Sequence, residues 1–138
     1  MQDSVFLDTN ILVYLFSNNE LSKRNTSIAL FKEYICITST QALNEFSNVY
    51  LKKYKIPNDE VKKFIDSVVK YCDIKLITEQ IIYNAIDLNS KYAYSYYDCL
   101  MLASALDNRC SILFSEDMND GQVIEGNLKI INPYKNFL

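Results

Sequence analysis

Short apolar runs separated by long helical stretches constrain this chain most. Ser4-Val5-Phe6-Leu7, Ile35-Cys36-Ile37-Thr38 and Ser111-Ile112-Leu113-Phe114 are apolar without alternation, and a further run covers residues 128–131. A strand with one wet face alternates apolar and polar residues, whereas a strand covered on both faces does not. Between the runs, apolar residues recur at helical spacing, as in Ala42, Leu43, Phe46, Val49 and Tyr50, or Val61, Phe64, Ile65, Val68 and Val69. Strands alternating with helices in this way predict an α/β chain, a three-layer α/β/α sandwich with a central, mainly parallel sheet.

The helices are expected over residues 11–17, 24–34, 39–54, from 57 onward, 78–93 and from 95 onward, with a short strand at 73–77. Asp8, Thr9 and Asn10 supply capping residues for the first helix. Thr38 or Ser39 caps the third, with Gln41 placed for a capping box with Thr38. Thr78 and Ser95 cap the two helices that follow. Asn132-Pro133 stops the last strand. The chain has 138 residues with only two glycines and two prolines, so residues 1–138 are expected to form one domain with no long linker.

Composition narrows the chemistry. The chain has no histidine, which excludes mechanisms built on an imidazole base. Its four cysteines, Cys36, Cys72, Cys99 and Cys110, form no C-x-x-C pair. They are expected to be buried, reduced thiols. The first residues lack a signal peptide's basic segment, and no apolar run approaches the ~18 residues of a membrane span. A cytoplasmic protein without membrane contact is expected. Seventeen acids against 14 bases give a net charge of −3, which argues against gripping duplex DNA by bulk charge. Carboxylates remain as the source of chemistry.

A parallel sheet places its sites at the carboxyl ends of strands, and four acids are expected to converge on that edge. Asp8 ends the first strand and Asp117 closely follows the fourth. Glu45 and Asp98 lie in early turns of helices. Each has an ordinary reading taken singly: a helix start, an exposed helix glutamate, a capping residue three after Ser95, a polar turn. Asp98, however, heads the apolar helix Cys99-Leu100-Met101-Leu102-Ala103, where an isolated buried charge is costly. Carboxylates that converge repel one another. With no His and no suitably spaced Cys, a hard divalent cation such as Mg²⁺ or Mn²⁺ is the natural counter-charge. Acid clusters holding such ions suit phosphodiester hydrolysis.

Several motifs resemble those of PIN-domain ribonucleases. Val5-Phe6-Leu7-Asp8-Thr9-Asn10-Ile11-Leu12 resembles the family's opening motif, and Ser39-Thr40-Gln41-Ala42-Leu43-Asn44-Glu45-Phe46 its second. Tyr97-Asp98 through Ala105 resembles the third. Leu113-Phe114-Ser115-Glu116-Asp117, with Gly121 and Asn132-Pro133, resembles the fourth motif and the tail. At this length the chain most resembles the VapC-type toxins of bacterial toxin–antitoxin systems. The resemblance implies the same α/β/α fold and an endoribonuclease dependent on Mg²⁺ or Mn²⁺. Asp8, Glu45, Asp98 and Asp117 match the family's acidic quartet, both as metal ligands and as catalytic residues. Asn10 and Ser115 match supporting polar positions, and Asp120 is a candidate fifth acid. The implied reaction is attack by water in line on the scissile phosphate, leaving a 5′-phosphate and a 3′-hydroxyl. The resemblance further implies a homodimer and a cognate antitoxin whose C-terminal segment enters the acidic groove. The early helices, with Leu12, Leu15 and Phe16, are either its interface or core.

RNA must approach an acidic chain. Residues 52–75 carry seven lysines and four acids, a local surplus of +3, with −2 before and −4 after. The lysines either track a phosphate backbone or form a solvated face. Tyr94, Tyr96 and Tyr97 flank Asp98 and either stack on unpaired bases or pack in the core. Two other readings stand beside the ribonuclease. One is a catalytically inactive PIN-like binding module, which intact acids at all four positions argue against. The other is a phospho-aspartate phosphatase, which would want D-x-D where this chain has Asp8-Thr9-Asn10.

Overall fold

The computed structural model describes residues 3–136. Six strands form one sheet: β1 (Ser4–Leu7), β2 (Ile35–Ser39), β3 (Asp73–Lys75), β4 (Ile112–Phe114), β5 (Val123–Ile124) and β6 (Leu128–Ile131). Their order is β3-β2-β1-β4-β6-β5, and every neighbouring pair is parallel except β5 with β6. The apolar runs occupy the middle of this order. Val5, Phe6, Leu7, Leu113 and Phe114 are all fully buried, which is why their pattern does not alternate.

Helices cover the sheet: α1 (Thr9–Tyr14), α2 (Leu21–Glu33), α3 (Thr40–Asn48), α4 (Asn58–Tyr71), α5 (Glu79–Lys91), α6 (Tyr96–Asp107) and the short α7 (Pro133–Asn136). The expected α/β/α arrangement with a mainly parallel sheet is the one observed. Helix α6 is buried along Cys99, Leu100, Met101, Leu102, Ala103, Ser104 and Ala105, so it forms the inner layer, and α5 packs on it through Ile81, Ala85 and Leu88. The third helix continues past α3 as a π-helical turn, Val49–Lys53. Tyr50 in that turn donates its hydroxyl to the carbonyl of Val13, tying the turn to α1. Its ring joins Phe16, Phe46 and Phe64 in an aromatic cluster in which Phe16 stacks on Phe64 at 4.4 Å.

The structure adds to and corrects the expected elements. Ser39, not Thr38, caps α3, accepting from the Ala42 amide at 3.3 Å. Thr38 is inside β2 and donates to the carbonyl of Leu7, so the capping box with Gln41 does not form. Thr78 and Ser95 cap α5 and α6 as expected. Strand β5 is an addition to the elements read from the sequence. It pairs antiparallel with β6 through a turn in which Glu125 and Gly126 both have positive φ, 50° and 77°, the conformation that favours a tight hairpin. Pro133 does more than stop β6: it opens α7, and Asn132 caps that turn by accepting from the Tyr134 amide. Proline suits a first helical position, where its missing N–H has no partner to lose.

The four cysteines are buried and unpaired. Burial pushes the Cys36 and Cys110 thiols up to about 12 and raises those of Cys72 and Cys99, which fits inert thiols. Leu12 is core, while Leu15 and Phe16 are partly buried and pack against it. Among the described residues, no helix is long and apolar enough to cross a membrane.

Candidate active site

The site begins with strand register. Leu7 of β1 lies opposite Phe114 of β4, so both strands end level and their next residues emerge side by side. The Asp8 amide closes the ladder by donating to the Phe114 carbonyl at 3.1 Å. Asp8 is therefore fixed at the carboxyl edge in the middle of the sheet. Its Oδ1 accepts from the Thr9 amide at 2.7 Å, starting α1, and its Oδ2 accepts from the Ser115 hydroxyl at 2.8 Å.

The other acids reach the same edge through their own supports. Glu45 Oε1 accepts from the Thr9 hydroxyl at 2.7 Å, and its Oε2 from Gln41 Nε2 at 3.0 Å. The same Gln41 nitrogen also donates to the Tyr97 carbonyl at 3.1 Å, joining α3 to the start of α6. Asp117 Oδ2 accepts from Asn10 Nδ2 at 2.9 Å. Asp98 lies in the first turn of α6, where its amide is held by the Ser95 hydroxyl at 3.2 Å.

Electrostatics ties the four together. Burial, the largest effect, raises Asp8 from an ordinary 3.8 to about 6, and the charges of Asp98 and Glu45 push the same way. The Ser115 and Thr9 hydrogen bonds oppose that rise. Asp98 is raised by burial first, then by the charges of Asp117 and Glu45, against its hydrogen bond to Ser95. Charge thus links all four acids, and no hydrogen bond or ion pair from a lysine or arginine to any of them is seen among the described residues. This donor set, all hard oxygens and short of positive charge, suits Mg²⁺ or Mn²⁺. Among the described residues, however, no three of His, Cys, Asp and Glu close into a ready-made metal cage. Mg²⁺ commonly keeps several waters and takes only one or two carboxylates directly, so an open mouth fits such an ion.

The remaining candidates from the sequence divide. Asn10 and Ser115 join the cluster directly, one on Asp117 and one on Asp8. Asp120 is exposed and its Oδ1 accepts from the Asn132 amide at 2.8 Å, which gives it a part in the turn before α7. Tyr94 and Tyr96 pack against the core, and Tyr97 is 65 % exposed. Lys52, Lys53, Lys55, Lys62, Lys63 and Lys70 are all exposed, on the π turn, the segment after it and α4. Thr9 and Gln41, the donors to Glu45, are residues that sequence reasoning misses. Thr9 leaves no local pattern, since its hydrogen bond spans 36 residues, whereas Gln41 and Glu45 are four apart on one helix, the spacing at which side chains meet.

A sheet of this order with an acid at its central carboxyl edge is that of a doubly wound α/β protein with its site at the strand ends. The PIN domain family model matches residues 5–119, and the chain belongs to that family. No curated protein sequence matches it significantly. Among solved structures it is similar to a toxin–antitoxin complex from Klebsiella pneumoniae, at 23 % identity over 94 % of this chain and 98 % of that one, with a TM-score of 0.71. It is also similar to VapBC2 of Rickettsia felis bound to a DNA fragment from their promoter (17 % identity, 92 % and 98 % covered, TM-score 0.67). A third similar structure is Mycobacterium tuberculosis VapC20, a sarcin–ricin-loop-cleaving toxin (15 % identity, 82 % and 91 % covered, TM-score 0.66).

Proposed function

We propose that this chain is a metal-dependent endoribonuclease, the toxin of a toxin–antitoxin pair, acting as one PIN domain. The observation that carries the reading is the meeting of Asp8, Glu45, Asp98 and Asp117 at one sheet edge. Four carboxylates repel one another there, and hydrogen bonds hold those of Asp8, Glu45 and Asp117. Membership of the PIN family supports the nuclease reading. The toxin reading draws on the similar structures, two of them toxin–antitoxin assemblies and one a toxin that cleaves the sarcin–ricin loop.

Asp8, Asp98 and Asp117 would hold Mg²⁺ or Mn²⁺, with Glu45 completing the site. Such an ion lowers the pKa of a bound water and stabilises charge developing on the scissile phosphate. The chain's own part is to hold the acids deprotonated and oriented. Ser115 and the Thr9 amide do this for Asp8, Asn10 does it for Asp117, and Thr9 and Gln41 fix both oxygens of Glu45. Glu45 then stands held at both oxygens beside the mouth, placed to orient an attacking water. Water would form a new P–O bond as the P–O3′ bond breaks, leaving a 5′-phosphate on the downstream fragment and, with a proton from water, a 3′-hydroxyl on the upstream one. A cognate antitoxin would silence the site by presenting a basic side chain to these carboxylates in place of the ion. A homodimer of the toxin completes the proposed assembly.

Purified protein with Mn²⁺ is expected to cut RNA to 5′-phosphate products, and Asp8→Asn or Asp98→Asn to abolish cutting. Metal-dependent cleavage surviving both substitutions would sink the assignment. Sequencing of RNA ends after expression in cells then identifies the target, and growth arrest relieved by a co-expressed partner gene tests the toxin role.

A further inference from the structure

The loop after β4 carries two neighbouring acids with different fates. Asp117 turns to Asn10 and the acidic mouth. Glu116 turns the other way, into a polar cluster assembled from three helices. Its Oε2 accepts from Lys23 Nζ of α2, and its Oε1 from the Tyr14 hydroxyl of α1 at 2.6 Å. The Lys23 ammonium lies over two rings, 4.9 Å from the centre of Tyr14 and 5.6 Å from that of Tyr134 in α7. Tyr134 is itself held by the Ser27 hydroxyl of α2 at 2.7 Å and packs edge-on to Tyr14. The Lys23 and Glu116 side chains are 31 % and 20 % exposed, so this pair is partly sheltered from water.

We propose that Lys23 is a positioning residue for the acidic site, which it reaches through Glu116 and without touching it. The inference rests on the nuclease reading above. Lys23 anchors Glu116, and Glu116 is bonded on one side to Ser115 and on the other to Asp117. Ser115 donates to Asp8, so two of the four acids depend on where this loop sits. The pairing also sorts charge. The cation neutralises the acid that faces away, and Asp117 is left for an incoming ion. Two rings limit the directions the ammonium can take, which is what separates this pair from a solvent-exposed ion pair of little consequence.

The test uses the full chain, Lys23→Met, Glu116→Gln, their double variant and Lys23→Arg. The readouts are Mn²⁺ affinity by calorimetry, amide hydrogen exchange over residues 115–118, and the split of RNA cleavage into kcat and KM. Each single variant is expected to weaken Mn²⁺ binding about threefold, less than the roughly tenfold or greater loss when a group bonded directly to a metal ligand is removed. Faster exchange at 115–118 and a fall in kcat should accompany this, with KM for RNA little changed. The double variant should be no worse than either single one, and Lys23→Arg should recover most of the loss. Unchanged exchange and Mn²⁺ affinity in Lys23→Met overturns the proposal. So does a rise in KM alone, which would make Lys23 an RNA contact. A wild-type chain that fails to bind Mn²⁺ at all sinks the nuclease reading instead. The exchange measurement still decides whether Lys23 holds the loop.

Discussion

Among single residues, the side chains that hold the acids matter as much as the acids themselves. Ser115 is the one side-chain donor to Asp8 seen among the described residues, and its removal leaves burial and two neighbouring charges less opposed. Ser115→Ala is therefore expected to raise the Asp8 pKa above about 6 and to lower metal affinity at neutral pH by roughly tenfold. Metal titrations between pH 5 and 8 check this, the variant's binding curve moving to higher pH. A curve that stays in place would mean Ser115 does not tune Asp8. Asp8, Asp98 and Asp117 are legible in the sequence because each follows or opens a recognisable element, while Glu45, inside α3, is legible only through its motif stretch. Thr9 is not legible, because its partner Glu45 is 36 positions away, and Gln41 is legible only as an i,i+4 partner of Glu45, its bond to the Tyr97 carbonyl spanning 56 residues. Thr38 shows the opposite failure: local spacing offers a capping box, and a tertiary bond to the Leu7 carbonyl takes its hydroxyl instead.

Between elements, one helix start and one hairpin make separate predictions. Tyr97 lies in the first turn of α6 beside Asp98, with its carbonyl held by Gln41 and its ring exposed. A ring so placed is available to an unpaired base. Tyr97→Ala is expected to raise KM for single-stranded RNA about tenfold, from a stacking contribution of roughly 1–3 kcal/mol per base, while kcat changes little. Steady-state kinetics on a short unpaired substrate reads this directly, and an unchanged KM would place RNA elsewhere. The β5–β6 turn is remote in chemistry from the site. Gly126 has φ of 77° with open space where a Cβ would stand, so the cost of Gly126→Ala is backbone strain alone, about 1 kcal/mol. Denaturant unfolding should register that loss with cleavage unaffected. A long, periodic element such as α4 is readable from spacing, and α5 from its Thr78 cap. Strand β5 is not, since two residues, Val123 and Ile124, carry no period, and only the glycines around them hint at a turn.

Across the whole molecule, stability and metal binding are linked through the acidic edge. The folded Asp8 binds its proton more tightly than the unfolded chain does, about 6 against 3.8. Its ionisation therefore opposes folding. In the metal-free protein this contribution leaves stability highest at low pH within the window, and lowers it as pH rises from about 4 through about 6, with no further change above. The effect is of order 1–3 kcal/mol for this group, taken alone. Unfolding in chelator at pH 5 and 7.5 measures it, and Asp8→Asn should flatten the difference and stabilise the metal-free chain at pH 7.5. A divalent ion should restore the loss by binding the folded state alone. The chain has no histidine and a net charge of −3, so under the proposed function the balancing charge at the acidic edge would come from a bound divalent ion.

If four carboxylates from the end of β1, from α3, from α6 and from the loop after β4 act as one metal site, crystals grown with Mn²⁺ should show it by anomalous diffraction. A Mn²⁺ peak is expected at the carboxyl edge of β1 and β4, held directly or through water by Asp8, Asp98 and Asp117, and lost in Asp98→Asn. Ordered Mn²⁺ bound only elsewhere on the molecule, or a peak unchanged in Asp98→Asn, would contradict a shared site.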